Sequence, residues 1–166
     1  APPAPERELR GCFVPWTAVT LGDGSRRALS ELAAGSEVLS WDDSTWRPAR
    51  ARVLSVLRVQ RNELVEVSLE HGTGRIVSTL DHPYWSHRQQ GLVSMDPSAT
   101  QSAYGLAAST MLSNETFSNE TGDPLRGSVR RLVDGPPQEL LTLCLDRFHW
   151  FFAHGVRVHN KGCFVP

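Results

Sequence analysis

The chain has 166 residues, with 40% hydrophobic and 21% charged side chains and a net charge of −1. That is the length and balance of one globular domain with a substantial core. The charge and the absence of a basic cluster exclude nucleic acid and a lipid surface as expected partners, and no apolar run approaches the ~18–20 residues of a membrane-spanning helix.

Residues 1–11 open on a Pro-rich stretch, Ala1 to Arg10, that lacks the apolar run of a signal peptide. It reads as an upstream flank, the linker to a preceding region, and the chain is expected to be a piece of a larger multidomain protein and monomeric there. Strand signals follow. Thr17–Leu21 runs into the turn Gly22-Asp23-Gly24-Ser25, and Ala28–Leu32 is long enough for one helical turn. Glu37–Trp41, the Val- and Leu-rich Arg52–Val59, the alternating Glu63–Leu69 and Arg75–Leu80 each read as strands between Gly, Asn and Asp punctuation. Residues 89–124 are rich in Ser, Thr, Asn and Gly and hold the duplicated Ser-Asn-Glu-Thr at Ser113–Thr116 and Ser118–Thr121. This stretch is expected to be a mobile loop insertion. It carries two Asn-x-Thr sequons, at Asn114 and Asn119, which matter only in a secreted protein, whereas a reactive thiol suits a reducing compartment; localisation stays open. Strands resume at Ser128–Val133, Leu140–Leu145 and Trp150–Val158. Turn signals at short intervals and no long amphipathic pattern predict an all-β fold.

The pentapeptide Gly-Cys-Phe-Val-Pro occurs at Gly11–Pro15 and again at Gly162–Pro166. Between the copies lies one unit that opens on Cys12 and closes on His159-Asn160; residues 161–166 read as a downstream flank that begins a second repeat. The chemistry of the two ends is complementary. A thiol can attack the carbonyl that precedes it, and an Asn side chain can attack the carbonyl that follows its own backbone nitrogen. Three cysteines, Cys12, Cys144 and Cys163, make a poor disulfide framework. Cys144 lies in the apolar run Leu140–Leu145 and is expected to be a packed core thiol.

The unit resembles a Hint domain, the self-processing module shared by inteins, bacterial intein-like domains and the Hedgehog C-terminal domain. Cys12 opens it within Cys-Phe-Val-Pro-Trp-Thr-Ala-Val; Thr79-Leu80-Asp81-His82 is similar to the family's Thr-x-x-His; and His149–Asn160 is similar to its closing His-Asn-Phe-x-x-x-Gly-x-x-Val-His-Asn. The resemblance covers residues 12–160 apart from the region around Asn114. It implies a horseshoe-like β fold of two pseudo-two-fold halves, no cofactor, and a single-turnover reaction whose only partners are the chain's own flanking segments.

The resemblance implies roles residue by residue. Cys12 is the nucleophile on the Gly11 carbonyl, forming a thioester, and Gly11 has no side chain in the way. His82 protonates the departing Cys12 nitrogen. Thr79 offers a hydroxyl to the same peptide; its plainer reading is a buried small residue. Asn160 cyclises to a succinimide and releases Lys161. His159 assists at that carbonyl or at the leaving amine, and His149 deprotonates the amide or orients His159. Asp146 and Cys144 are secondary candidates for coupling the two ends, with a strand-end charge the equal alternative for Asp146. His154 reads as structural. A metal site from His149, His154 and His159 is a poor reading, because five-residue steps alternate faces of a strand.

Three positions depart from the family pattern. Trp16 stands where Gly is usual and bears on access to Cys12. Trp150 stands where Asn is usual. Lys161 stands where inteins carry Cys, Ser or Thr, the acceptor that receives the upstream segment. Both cleavages are therefore expected, at Gly11–Cys12 and Asn160–Lys161, with joining minor. The alternatives are splicing or acyl transfer to Lys161, Cys163 or an external nucleophile, and a catalytically silent β-scaffold that serves as an interaction module.

Overall fold

The segments with period-two hydrophobicity become strands, because alternate side chains of an extended chain face opposite sides. A computed structural model describes residues 12–160; Gly11, Lys161 and Cys163, and with them both flanks and the second pentapeptide, lie outside the described residues. In chain order the elements are β1 (Ala18–Thr20), β2 (Arg26–Ala28), β3 (Glu37–Asp42), β4 (Arg47–Arg61), β5 (Leu64–Leu69), β6 (Arg75–Thr79), β7 (Tyr84–Ser86), β8 (Gly91–Ser94), α1 (Pro97–Tyr104), β9 (Ser109–Thr110), β10 (Asn114–Ser118), β11 (Pro124–Arg131), β12 (Gln138–Leu145), β13 (Trp150–Ala153) and β14 (Val156–His159). The helical turn expected at Ala28–Leu32 is a 3-10 turn at Leu29–Glu31. The fold is all-β, as expected.

The strands form two sheets. One runs β2-β1-β13-β14-β7-β10-β11-β5-β6, with β8 and then β9 branching from β7; the other is β12-β4-β3. Pairing is antiparallel except for the parallel step from β8 to β9. Phe13 joins the sheets. It bridges Ser78 of β6 on one side and Leu141 of β12 on the other, with reciprocal hydrogen bonds to Leu141 of 2.8 and 2.7 Å. Its ring is fully buried against Phe151, Tyr84 and His82. A ring so placed typically contributes about 3–5 kcal/mol relative to alanine. The residue after Cys12 thus anchors Cys12 itself.

The expectation of a mobile loop over 89–124 is corrected. The stretch contains β8, α1, β9 and β10, and β11 begins at its last residue. Helix α1 is capped at its start by the Asp96 side chain, which accepts from Ala99 N–H at 3.1 Å, has Pro97 in its first turn, and ends on Gly105 at φ 69°. In β10 the polar residue that suggested a loop, Glu115, is buried and satisfied. It accepts from Leu112 N–H at 2.9 Å and pairs with Arg88 at 3.3 Å. Polar composition was mistaken for absence of structure.

The hairpin β13–β14 sets the geometry of the closing motif. Trp150 lies opposite His159 and Phe152 opposite Arg157, so these four side chains share one face. The other face presents Phe151, Ala153, Val156 and Val158 to the main core. The turn between the strands, His154-Gly155, has both residues at positive φ, 48° and 81°. At Gly155 the positive φ favours glycine, and a Cβ would also push aside the side-chain ends of Arg26 and Glu120, 2.6 Å away.

Candidate active site

Cys12 is drawn between β6 and β12. Its carbonyl accepts from Thr79 N–H at 3.1 Å, and its own N–H donates to Thr79 Oγ1 at 3.3 Å. That N–H belongs to the Gly11–Cys12 peptide, so Thr79 engages the peptide group that the sequence assigned to it. Cys12 is fully buried and is a thiol. Burial, reinforced by the negative charge of Asp81 and opposed by Arg61, pushes the thiol up to about 12. At neutral pH almost all of it is protonated, and the attacking thiolate requires a base or a proton shift.

His82 follows Thr79 on a tight turn, its N–H donating to the Thr79 carbonyl at 3.3 Å. The ring is buried, 4.3 Å from the Phe13 ring and 6.5 Å from that of Tyr104. Only one residue further on, the Pro83 carbonyl accepts from His159 N–H at 2.9 Å. The Tyr104 ring lies 6.0 Å from the His159 ring, so it spans the space between the two histidines. The segment Thr79–Pro83 therefore holds the opening cysteine at one end and the closing histidine at the other.

At the closing end Asn160 is buried, and its N–H donates to the His149 carbonyl at 2.5 Å. Neither Nδ2 nor Oδ1 of Asn160 has a hydrogen-bond partner among the described residues. His159 is stacked on His149, with ring centroids 5.7 Å apart and planes within 8°, and lies nearly perpendicular to the Trp150 ring, centroids 5.0 Å apart. Burial, and then His149, pulls the His159 imidazole down to about 4, so it is neutral at physiological pH.

The sequence matches no protein-family model and no curated protein. Solved structures do resemble it. A bacterial intein-like domain from Clostridium thermocellum superposes with a TM-score of 0.72 at 21% identity, over 90% of this chain and 98% of that one. A DnaB intein from Synechocystis sp. PCC 6803 gives 0.65 at 16% identity, over 90% and 97%. The gp41-1 intein gives 0.63 at 20% identity, over 90% and 98%. This chain has the Hint fold.

Within this Hint fold the six residues singled out from the sequence divide into two groups that the Thr79–Pro83 segment joins: Cys12, Thr79 and His82, then His149, His159 and Asn160. The secondary candidates fare differently. Asp146 is exposed and hydrogen-bonds the Arg52 backbone N–H at 2.9 Å, which closes the end of the β4–β12 ladder. That geometry is a strand-end role. Cys144 is buried in β12 but disulfide-bonded, which corrects the expected packed thiol. Trp16 is 46% exposed and lies 5.0 Å beneath the Arg75 guanidinium. His154 is structural: its Nε2 accepts from Ala18 N–H at 3.3 Å and its own N–H donates to the Ala18 carbonyl at 2.7 Å.

Four residues of consequence escaped the sequence reading. Asp81 and Arg61 set the charge around Cys12. Asp81 stood inside the Thr-x-x-His motif, and its sign alone was a readable signal. Tyr104 and Arg157 offered none, since their importance comes from strands and turns distant in the chain.

Proposed function

We propose that this domain is an intein-like self-processing module that cuts its own chain at Gly11–Cys12 and at Asn160–Lys161. One observation carries this reading: the Thr79–Pro83 segment hydrogen-bonds the Cys12 peptide at one end and His159 at the other. A shared anchor holds the reacting groups of both ends of the unit in fixed orientation, which favours both reactions.

At the upstream junction the Cys12 sulfur attacks the Gly11 carbonyl carbon. The C–N bond breaks, a C–S bond forms, and the proton that leaves the thiol is balanced by one delivered to the Cys12 nitrogen. Thr79 Oγ1 accepts from that N–H and holds the peptide in place, and His82 supplies the proton to the nitrogen as it departs. Water or an added thiol then takes the acyl group from the thioester. At the downstream junction Asn160 Nδ2 attacks the Asn160 carbonyl carbon, the bond to Lys161 breaks, and the proton from the amide ends on the Lys161 amine. A neutral imidazole at His159 is in the form that accepts a proton, and His149 stacks behind it. Lys161 offers no thiol or hydroxyl to receive the upstream acyl group. Cleavage therefore dominates over joining.

The test uses the whole chain with a different tag at each end, followed by intact mass. Fragments ending at Gly11 and beginning at Lys161 support the reading. A precursor that stays whole for days, with and without added thiol, overturns it in favour of a silent scaffold.

A further inference from the structure

Arg157 is among the largest fully buried side chains of the protein, and four of the five tryptophans surround it. Its guanidinium carbon lies 4.9 Å from the ring centroid of Trp41, 5.0 Å from Trp46, 4.3 Å from Trp85 and 4.6 Å from Trp150. The rings meet edge to face in sequence, Trp41 to Trp46, Trp46 to Trp85 and Trp85 to Trp150, each pair 5.7 Å apart. Nε and Nη2 of Arg157 have no hydrogen-bond partner among the described residues, so the π faces take the place of hydrogen-bond acceptors. A buried cation is a poor way to add stability, since an apolar side chain of the same length fills such a space without desolvating a charge. What the cation adds is orientation, because each ring must turn its face toward it.

One of those rings reaches the closing motif. Trp150 is the cross-strand neighbour of His159, and its Nε1–H donates to Asp43 Oδ2 at 3.0 Å. The ring is thus fixed at its polar end by Asp43 and on its face by Arg157, and it stands nearly perpendicular to the His159 imidazole, with ring centroids 5.0 Å apart. His159, already stacked on His149, gains that boundary. Its Nδ1 is buried and has no hydrogen-bond partner among the described residues, so no hydrogen bond there sets the ring plane, as one usually does for a working histidine. We propose that Arg157 is a positioning residue for cleavage at Asn160: seated among Trp41, Trp46, Trp85 and Trp150, it fixes the Trp150 ring and, through it, the plane of the His159 imidazole. The kinetic part of this proposal rests on the self-cleavage reading above; the positional part does not.

The experiment has two readouts on the full tagged chain. In the first, Arg157→Met is expected to slow the downstream cut by about tenfold, the scale of a misplaced reacting group, while thiol-triggered release at Gly11 stays within about twofold. Arg157→Lys, which keeps a cation among the rings, recovers most of the lost rate. Equal slowing at both junctions, or a downstream rate within about twofold of the parent, overturns the proposal. Should Arg157→Met not fold, Trp46→Leu opens the exposed wall of the cage and is expected to slow the downstream cut alone, by about threefold. In the second readout, Cys12→Ala combined with Asn160→Ala serves as an uncut background for NMR. The carbon-bound ring protons of His159, shifted by the Trp150 ring, are expected to move toward ordinary positions in Arg157→Met and to stay in Arg157→Lys. Unmoved His159 signals overturn the proposal even if neither junction is ever cut, in which case the cleavage reading falls separately.

Discussion

The two ends of the unit lie on one short segment, yet they are built on opposite principles. At Cys12 the nucleophile is titratable and hard to ionise: the thiol is buried, beside Asp81, and pushed up to about 12. At Asn160 the nucleophile is an amide that does not ionise at all, and what matters is where it and His159 are held. In the proposed reactions the upstream step depends on a proton, the downstream one on geometry. That difference makes the two junctions separable, and each experiment below either separates them or shows that they are one.

The largest effects come from removing the reacting groups. Cys12→Ala is expected to abolish release of the segment ending at Gly11 and to leave the cut before Lys161. Asn160→Ala is expected to do the reverse. In the parent chain the released unit should first appear about 18 Da (one water) lighter than the Asn acid, the mass of a succinimide formed by side-chain attack. Upstream cleavage surviving in Cys12→Ala, or an Asn acid formed at once, would mean ordinary proteolysis at exposed joints.

Next is the response to pH. With the thiol held far above neutrality, the thiolate fraction rises with pH, while His82 must still carry the proton it gives to the departing nitrogen, so upstream release should climb from about pH 7 to 9 less steeply than the thiolate fraction does. The downstream cut should be level over the same range, because His159 is already neutral well above about 4. Below about pH 5 it should fall as the imidazole protonates. Stability moves with it. His159 has its folded value lowered to about 4 from 6.5, so between those values the unfolded chain binds a proton that the folded chain refuses. Its contribution to stability therefore rises with pH through that window and is level above it. Parallel pH profiles at the two junctions would collapse the distinction between them.

Smaller still is the effect of one hydrogen bond. Thr79→Ala removes the acceptor for the Cys12 N–H, 3.3 Å away, and is expected to slow upstream release by about tenfold, the usual worth of about 1 kcal/mol or slightly more. Thr79→Ser, which keeps the hydroxyl, should recover most of that. Release rates followed by gel in thiol are sufficient, and a downstream rate lowered as much as the upstream one would show that Thr79 holds the fold rather than the peptide.

Much of this was legible before any coordinates. Strand β5 announces itself by alternation and β12 by a continuous apolar run. The six candidate residues could be named from the sequence because each is a chemical type with a fixed place relative to the ends of the unit, and the fold brings them onto one segment. Two things were not. The stretch around Glu115 looks like a loop because its polar side chains are satisfied by partners such as Arg88 and Leu112 N–H that lie elsewhere in space. Helix α1, in contrast, carried its signals in plain view, Asp96-Pro97 at the start and Gly105 at the end, and was lost beneath the composition of its surroundings. The tryptophan cage was beyond reach for another reason. Trp41, Trp46, Trp85, Trp150 and Arg157 are spread over most of the chain, and only the sheet order places β14 next to both β13 and β7.

The smallest expected effect tests whether the two ends can cooperate. As written, position 161 is Lys, and an amine that is protonated at neutral pH competes poorly with water or thiol for a thioester. Lys161→Cys places a thiol directly after Asn160. If the ends are held as close as their shared segment suggests, that thiol attacks the Gly11 thioester, the acyl group moves from one sulfur to the other, and Cys12 is regenerated. The resulting branched intermediate is resolved when Asn160 cyclises, which frees the amine of the introduced cysteine; the acyl group then migrates from its sulfur to that amine and forms a peptide bond. The product joins Gly11 to the introduced cysteine. The yield should be modest, on the order of a tenth of the released flanks, against none for the parent. The mass of the doubly tagged product decides it. Joined flanks at comparable yield with Lys161 in place would show that Lys161 or Cys163 already accepts the acyl group. No joined product in Lys161→Cys, with both cuts intact, would show that the two ends share an anchor but never meet.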